Sequence, residues 1–171
     1  MRNEPPCMSF LGILSLYGNH KNGGKSMKEL AVKNRDTIEG QKRSADGNEF
    51  TIKPVIPLAD VTKCRVNFIE VEPGNHAFGY HYHEMNEEVF YIISGKGIVR
   101  TSKGDITVNA GDAITFPTGM EGAHVIRNGS DTEKLVYLDF DAINVPEIVH
   151  FPDTRKVMVV GPYSNGTYDE K

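Results

Sequence analysis

The sequence predicts an all-β chain folded as a double-sheet jelly roll, on three observations. From Phe50 onward, short runs rich in Val, Ile, Phe, Tyr and Thr alternate with Gly, Pro, Asn or Asp punctuation. Only Met27 to Arg35 resembles a helix, and its three lysines and few apolar positions make it a short surface helix at most. So many short strands in one open antiparallel sheet would leave long unpaired edges and an uncovered apolar face, which two packed sheets avoid.

In order, the expected strands are Ile52 to Ile56, Lys63 to Val71, Ala77 to His83, Glu88 to Ser94, Gly97 to Ser102, Asp105 to Asn109, Asp112 to Phe116, His124 to Arg127 and Glu133 to Phe140. Lys103-Gly104 is the clearest hairpin turn. Lys156 to Val160 reads as an added strand, suited to edge pairing or exchange in a homodimer. Residues 1–48 form a polar, irregular N-terminal extension, residues 49–160 the jelly-roll domain and residues 161–171 a C-terminal tail. Ser164 to Lys171 is expected to be disordered. Gly24-Lys25-Ser26 suggests a phosphate loop, but Asn19 stands where its first glycine is required, so that reading is discarded. The same glycine-lysine stretch is consistent with a translation start at Met27.

Composition narrows the function classes. The 171 residues carry 19 basic and 23 acidic side chains, a net charge of −4, which argues against a nucleic-acid or membrane-surface partner. The apolar run Met8 to Tyr17 is too short to span a bilayer and lacks a cleavage site. Cys7 and Cys64 form no framework, so a cytoplasmic location is expected, with Cys64 a buried small hydrophobe.

The chemistry concentrates in His81-Tyr82-His83. On a strand, alternate residues share a face, so both imidazoles project together, and Tyr80 and Tyr82 face away onto an outer surface covered by a partner. A loop at Glu84 to Glu87 returns the chain so that Glu88 comes beside them, and His124 opens a later strand able to join the group. Three histidines and one glutamate suit a divalent transition metal. Strand parity puts Phe90, Ile92 and Ile126 beside the site, predicting a largely apolar cavity, with Phe116 and Met120 near its entrance or in the core. Glu87 should point to solvent and His76 should lie in a loop, while His20 and His150 receive no role. Arg65 and Asn67 alternate on one strand face. An inward Arg65 could clamp a substrate carboxylate, but an exposed, ion-paired arginine is the favoured reading.

These residues resemble the two motifs of the cupin superfamily. The first motif, G-x5-H-x-H-x3–4-E-x6-G, is met by Gly74, His81, His83, Glu88 and Gly95, with six residues in place of five before His81. The second, G-x5-P-x-G-x2-H-x3-N, is met by Gly111, Pro117, Gly119, His124 and Asn128, with four residues in place of two before His124. The resemblance spans about Val55 to Phe140. It implies a double-stranded β-helix barrel with one divalent metal per chain held by His81, His83, Glu88 and His124. Manganese, iron or zinc come first, with nickel or copper as further candidates. It also implies a small-molecule ligand in the barrel. Metal-dependent dioxygenase, decarboxylase or isomerase chemistry on a small acid, ketone or sugar-like substrate fits. A non-catalytic metal- or ligand-binding module is the alternative. A metal-free sugar epimerase of the same barrel type would not need all four donors, and residues 1–50 show no helix-turn-helix pattern of a regulator.

Overall fold

The computed structural model describes residues 30–45, 48–163 and 165–170. The first three residues of the helix expected at Met27 to Arg35 lie outside these residues, and 30–35 are not helical. Thirteen strands follow one another: β1 Gln41–Ala45, β2 Asn48–Pro54, β3 Cys64–Val71, β4 His76–His83, β5 Glu88–Ser94, β6 Lys96–Thr101 and β7 Gly104–Asn109. They continue as β8 Ala113–Phe116, β9 His124–Asn128, β10 Leu135–Ala142, β11 Glu147–Phe151, β12 Lys156–Val160 and β13 Asn165–Asp169. All pairings are antiparallel, giving a six-stranded sheet β1-β2-β3-β10-β5-β8 and a seven-stranded sheet β13-β12-β11-β4-β9-β6-β7. This is the double-sheet jelly roll expected from the strand pattern.

The core lies between the sheets and is built from Phe50, Ile52, Ile69, Val71, Phe90, Ile92, Val99, Ile126, Leu135 and Tyr137, with their neighbours. Burial alternates along β3 and β5, as period-two side-chain direction requires. Register aligns the inward residues of the six-stranded sheet into rows. Arg65, Asp141 and Glu88 form one row, Asn67, Asp139 and Phe90 the next, and Ile69, Tyr137 and Ile92 the third.

The motif glycines serve this geometry. Gly95 has φ +81°, and a Cβ there would lie 2.5 Å from the Lys134 carbonyl oxygen, so no other residue fits between β5 and β6. Gly119, at φ +78°, donates its N–H to the His83 carbonyl at 2.7 Å and ties the second motif to the first.

Several expectations are corrected. Asn165–Asp169 pairs with β12 along its full length, so this part of the tail is ordered. Lys156–Val160 lies between β11 and β13 of its own chain. The β6–β7 turn centres on Ser102-Lys103, because Thr101 pairs with Gly104. Tyr82 stacks on His150 at 4.5 Å and Arg100 lies over Tyr80 at 4.1 Å, so residues of this chain cover those rings. His150, given no role from sequence, bridges Glu84 at 2.8 Å and Glu170 at 2.9 Å. His76 opens β4 rather than lying in a loop. Cys64 is half-buried, not sealed in the core, and carries a free thiol. Among the described residues no helix is long and apolar enough to cross a membrane.

Candidate metal centre

His81 and His83 are both buried on β4, where alternation points them between the sheets. Between Ala77 and His81, β4 advances four residues while β9 advances two, and the resulting bulge takes up the extra residue before the first motif's histidines. The bulge includes Phe78, at φ +57°. His81 pairs directly across the ladder with His124. The longer gap before His124 is occupied by a 3-10 turn at Met120–Gly122.

The four candidate donors converge on Glu88. Its Oε2 lies 3.4 Å from His124 Nε2 and 3.8 Å from His81 Nε2, and its Oε1 lies 3.6 Å from His83 Nε2. Donor atoms of His81, Glu88 and His124 all fall within 4.8 Å of one another. The His81 and His83 rings are 5.3 Å apart, His81 and His124 4.7 Å. Two of the tautomers follow from hydrogen bonding. His81 Nδ1–H donates to the Gly79 carbonyl at 2.8 Å, and His124 Nδ1–H to the Gly122 carbonyl at 2.9 Å. A carbonyl only accepts, so each Nε2 keeps its lone pair toward the centre.

Electrostatics keep the His81 and His124 imidazoles neutral. Burial, then the neighbouring His124 and His83, hold His81 well below the usual histidine range. Burial brings His124 down to about 4. Burial, with the charge and hydrogen bond of Asp141 and the charge of Asp139, pushes Glu88 well above the carboxylate range. Glu88 Oε2 and His124 Nε2 are both buried without a hydrogen-bond partner. Two neutral imidazoles, a third histidine and a carboxyl oxygen thus meet, with Glu88 Oε2 and His124 Nε2 unpaired. Their spacing approaches that of ligands sharing one ion through bonds of about 2.1 Å. This nitrogen-and-oxygen set fits a divalent transition metal.

The walls are partly as expected. Phe90 packs against His124 at 5.4 Å and Phe116 stacks on it at 3.7 Å, while Met120 is exposed. Glu87 faces solvent. The prediction of a largely apolar surround fails on the β3–β10 side. Arg65 is buried, not exposed, and its Nε donates to Asp141 Oδ2 at 2.6 Å. Asn67 donates to Asp139 Oδ2 at 3.3 Å. Oxygens of Glu88, Asp139 and Asp141 lie within 4.8 Å of one another. Burial and then Asp141 raise Asp139 to about 8. Asp141 is held below its ordinary value because Arg65 and the Glu88 hydrogen bond outweigh its own burial. The sequence reading missed Asp139, Asp141 and Glu147. The period-two pair of acids on β10 was the only local signal for the first two.

The family profile described as "Cupin domain" matches residues 67–141, so this segment is a cupin domain. No protein of curated function matches the chain in sequence. Among solved structures, it is similar to a protein put forward as a sugar phosphate isomerase from Acidithiobacillus ferrooxidans, at TM-score 0.72 and 24% identity over 82% of this chain and 91% of that one. It is also similar to a sugar phosphate isomerase of the cupin superfamily from Silicibacter pomeroyi, at TM-score 0.71 and 18% identity over 81% and 92%. A protein described as a predicted oxalate decarboxylase from Thermotoga maritima aligns at TM-score 0.59 and 22% identity over 67% and 100%. At these identities the likeness establishes the fold.

Proposed function

We propose that the chain is a metal-dependent cupin enzyme that acts on a small oxygen-rich substrate inside the barrel, by proton transfer of the isomerase or decarboxylase kind. The observation that carries this reading is the convergence of His81, His83, His124 and Glu88, with Glu88 Oε2 and His124 Nε2 unpaired, beside the buried Asp139 and Asp141. A divalent metal bound there would act as a Lewis acid on a substrate carbonyl or hydroxyl.

The chain's own residues supply the rest. His81 and His124, fixed through Nδ1, present lone pairs and carry no competing charge. Asp139 retains its proton where an ordinary aspartate has lost it, which suits a group that gives and retrieves a proton near pH 7. Arg65 holds Asp141 ionised, so Asp139 and Asp141 stay in different protonation states. Phe90, Phe116 and Ile126 limit water around the centre. Two structural neighbours described as sugar phosphate isomerases and one described as a predicted oxalate decarboxylase support the proton-transfer class over oxidative chemistry.

The test is elemental analysis of natively purified protein beside a His83→Ala, His124→Ala double variant. One transition metal per chain, lost in the variant, is expected. Loaded protein is then incubated in D2O with phosphorylated aldoses and with oxalate, and followed by proton NMR. Exchange or isomerisation at C2 supports the isomerase reading and formate release the decarboxylase reading. No stoichiometric metal after anaerobic reloading overturns the proposal.

A further inference from the structure

Glu147 is 1% exposed and lies outside both motifs, at the start of β11. Its Oε1 accepts the N–H of Glu84 at 2.9 Å and of Met85 at 3.3 Å, the first two residues after His83. The same oxygen lies 3.7 Å from His83 Nδ1. His83 Nδ1 and Glu147 Oε2 are both buried without a hydrogen-bond partner. Two backbone carbonyls orient the other two histidines of the centre, and no carbonyl does so for His83 among the described residues. Among those same residues, the only polar side chain within ion-pair distance of its Nδ1 is this carboxylate.

We propose that Glu147 is the positioning residue of the centre, selecting the Nδ1–H tautomer of His83 and anchoring the loop that joins His83 to Glu88. This rests on the reading of the site as a metal centre. A histidine that ligates through one ring nitrogen is held by an acceptor at the other, and a carboxylate acceptor also strengthens the imidazole as a donor. The 3.7 Å separation is longer than a hydrogen bond, and site contacts of this kind tighten when the centre fills. Glu147 is well placed for that step because its loop contacts fix its position. β11 pairs with β4 at Val149 and His83, which brings the carboxylate to the end of the ligand strand. Asn86 braces the same loop by accepting the Asn144 N–H at 2.7 Å, and Glu87 does so through its carbonyl, 2.9 Å from the Ala142 N–H.

Glu147→Gln isolates the effect. The amide oxygen still accepts from Glu84 and Met85, so the loop keeps its anchor. That same oxygen faces His83 Nδ1, and as an uncharged amide it is a weaker acceptor than the carboxylate, so the preference for the Nδ1–H tautomer falls. The experiment uses the full metal-free chain. Long-range nitrogen-15 NMR reads the His83 tautomer, and chelator competition reads zinc affinity, for wild type and Glu147→Gln. Expected are an Nδ1–H tautomer in wild type, a smaller share of it in the variant and zinc affinity lower by about tenfold to a hundredfold. A wild-type His83 protonated at Nε2 overturns the proposal, as does a variant that keeps both tautomer and affinity. If the variant does not fold, the wild-type tautomer alone decides. If wild type binds neither zinc nor manganese, the metal reading fails, and the tautomer still decides whether Glu147 positions His83.

Discussion

The β4–β5 segment, which crosses from one sheet to the other, and the pair β3–β10 face the same small volume with opposite electrostatic designs. The crossing brings His81, His83 and Glu88 together, and burial pushes His81 and Glu88 toward their neutral forms without a bound ion. β3–β10 brings a charged pair, Arg65 with Asp141, and carries its own cation. A centre waiting for an external cation is built from neutral donors, because unpaired buried charge is too costly to hold. A buried acid row with no external partner needs a resident guanidinium. The first design would tie metal binding to the β4–β5 crossing, and the second ties fold stability to Arg65.

The largest effect therefore separates the two pairs. Arg65→Met leaves Asp141 ionised in the interior without its main partner, and the expected loss is about 3–5 kcal/mol in urea unfolding. Glu88→Gln replaces a carboxyl that is already protonated, so metal-free stability should change by about 1 kcal/mol or less, the size of one ordinary hydrogen bond. The same substitution removes the carboxyl that would give up its proton to bind a cation, and elemental analysis should find less than one metal per chain. Equal destabilisation by the two variants would erase the distinction.

A smaller effect tests whether the second motif's last residue belongs to the centre or to the frame. Asn128 Nδ2 donates to the Val71 and Glu133 carbonyls, both at 2.8 Å, and its Oδ1 accepts the Ser130 N–H at 2.8 Å. These contacts close the β9–β10 connection and make no approach to the donors. Asn128→Ala should cost about 1–3 kcal/mol through unsatisfied buried carbonyls, with metal content unchanged. Loss of metal at full stability would place Asn128 in the centre instead.

The same contrast explains what could be read from the sequence. His81 and His83 share a strand face by parity, a four-residue loop carries the chain across to Glu88 on the facing sheet, and His124 opens a strand of its own. The jelly roll was legible because most core strands carry their own apolar runs. β10 was ambiguous. Val136, Leu138 and Phe140 form a wholly apolar alternate set, which patterning alone favours as the inward face. The fold instead turns Tyr137, Asp139 and Asp141 inward and leaves Phe140 41% exposed. What decides this is Arg65, whose bond to Asp141 spans 76 residues of sequence and is invisible to any local window. β1 and β13 were missed for another reason. They are edge strands of polar sequence held by main-chain pairing, and β13 adds ion pairs such as Lys156 with Asp169 at 2.7 Å. Such strands need no apolar face and leave no pattern.

The finest test is the pH dependence of metal-free stability. Asp139 titrates at about 8 in the folded chain and near its ordinary value of 3.8 when unfolded. Its raised value means the stability it contributes is fully present below 3.8 and is lost as pH rises through 8. His124 works in the opposite sense. Its folded value of about 4 lies below the ordinary 6.5, so its contribution is lost as pH falls from 6.5 to 4 and is nearly constant above 6.5. Between about pH 6.5 and 7.5 the buried carboxyls therefore dominate, and Glu88 acts in the same direction as Asp139. Stability should fall with rising pH, by up to about 1.4 kcal/mol per pH unit for each group. Asp139→Asn, which cannot titrate, should remove its share of that slope and leave the acid-side loss intact. Urea midpoints of metal-free wild type and variant across this range measure both slopes. A flat or rising wild-type line would mean Asp139 is already ionised beside Asp141. The β3–β10 pair would then hold two negative charges against one guanidinium, and the contrast with the neutral β4–β5 crossing would be sharper still.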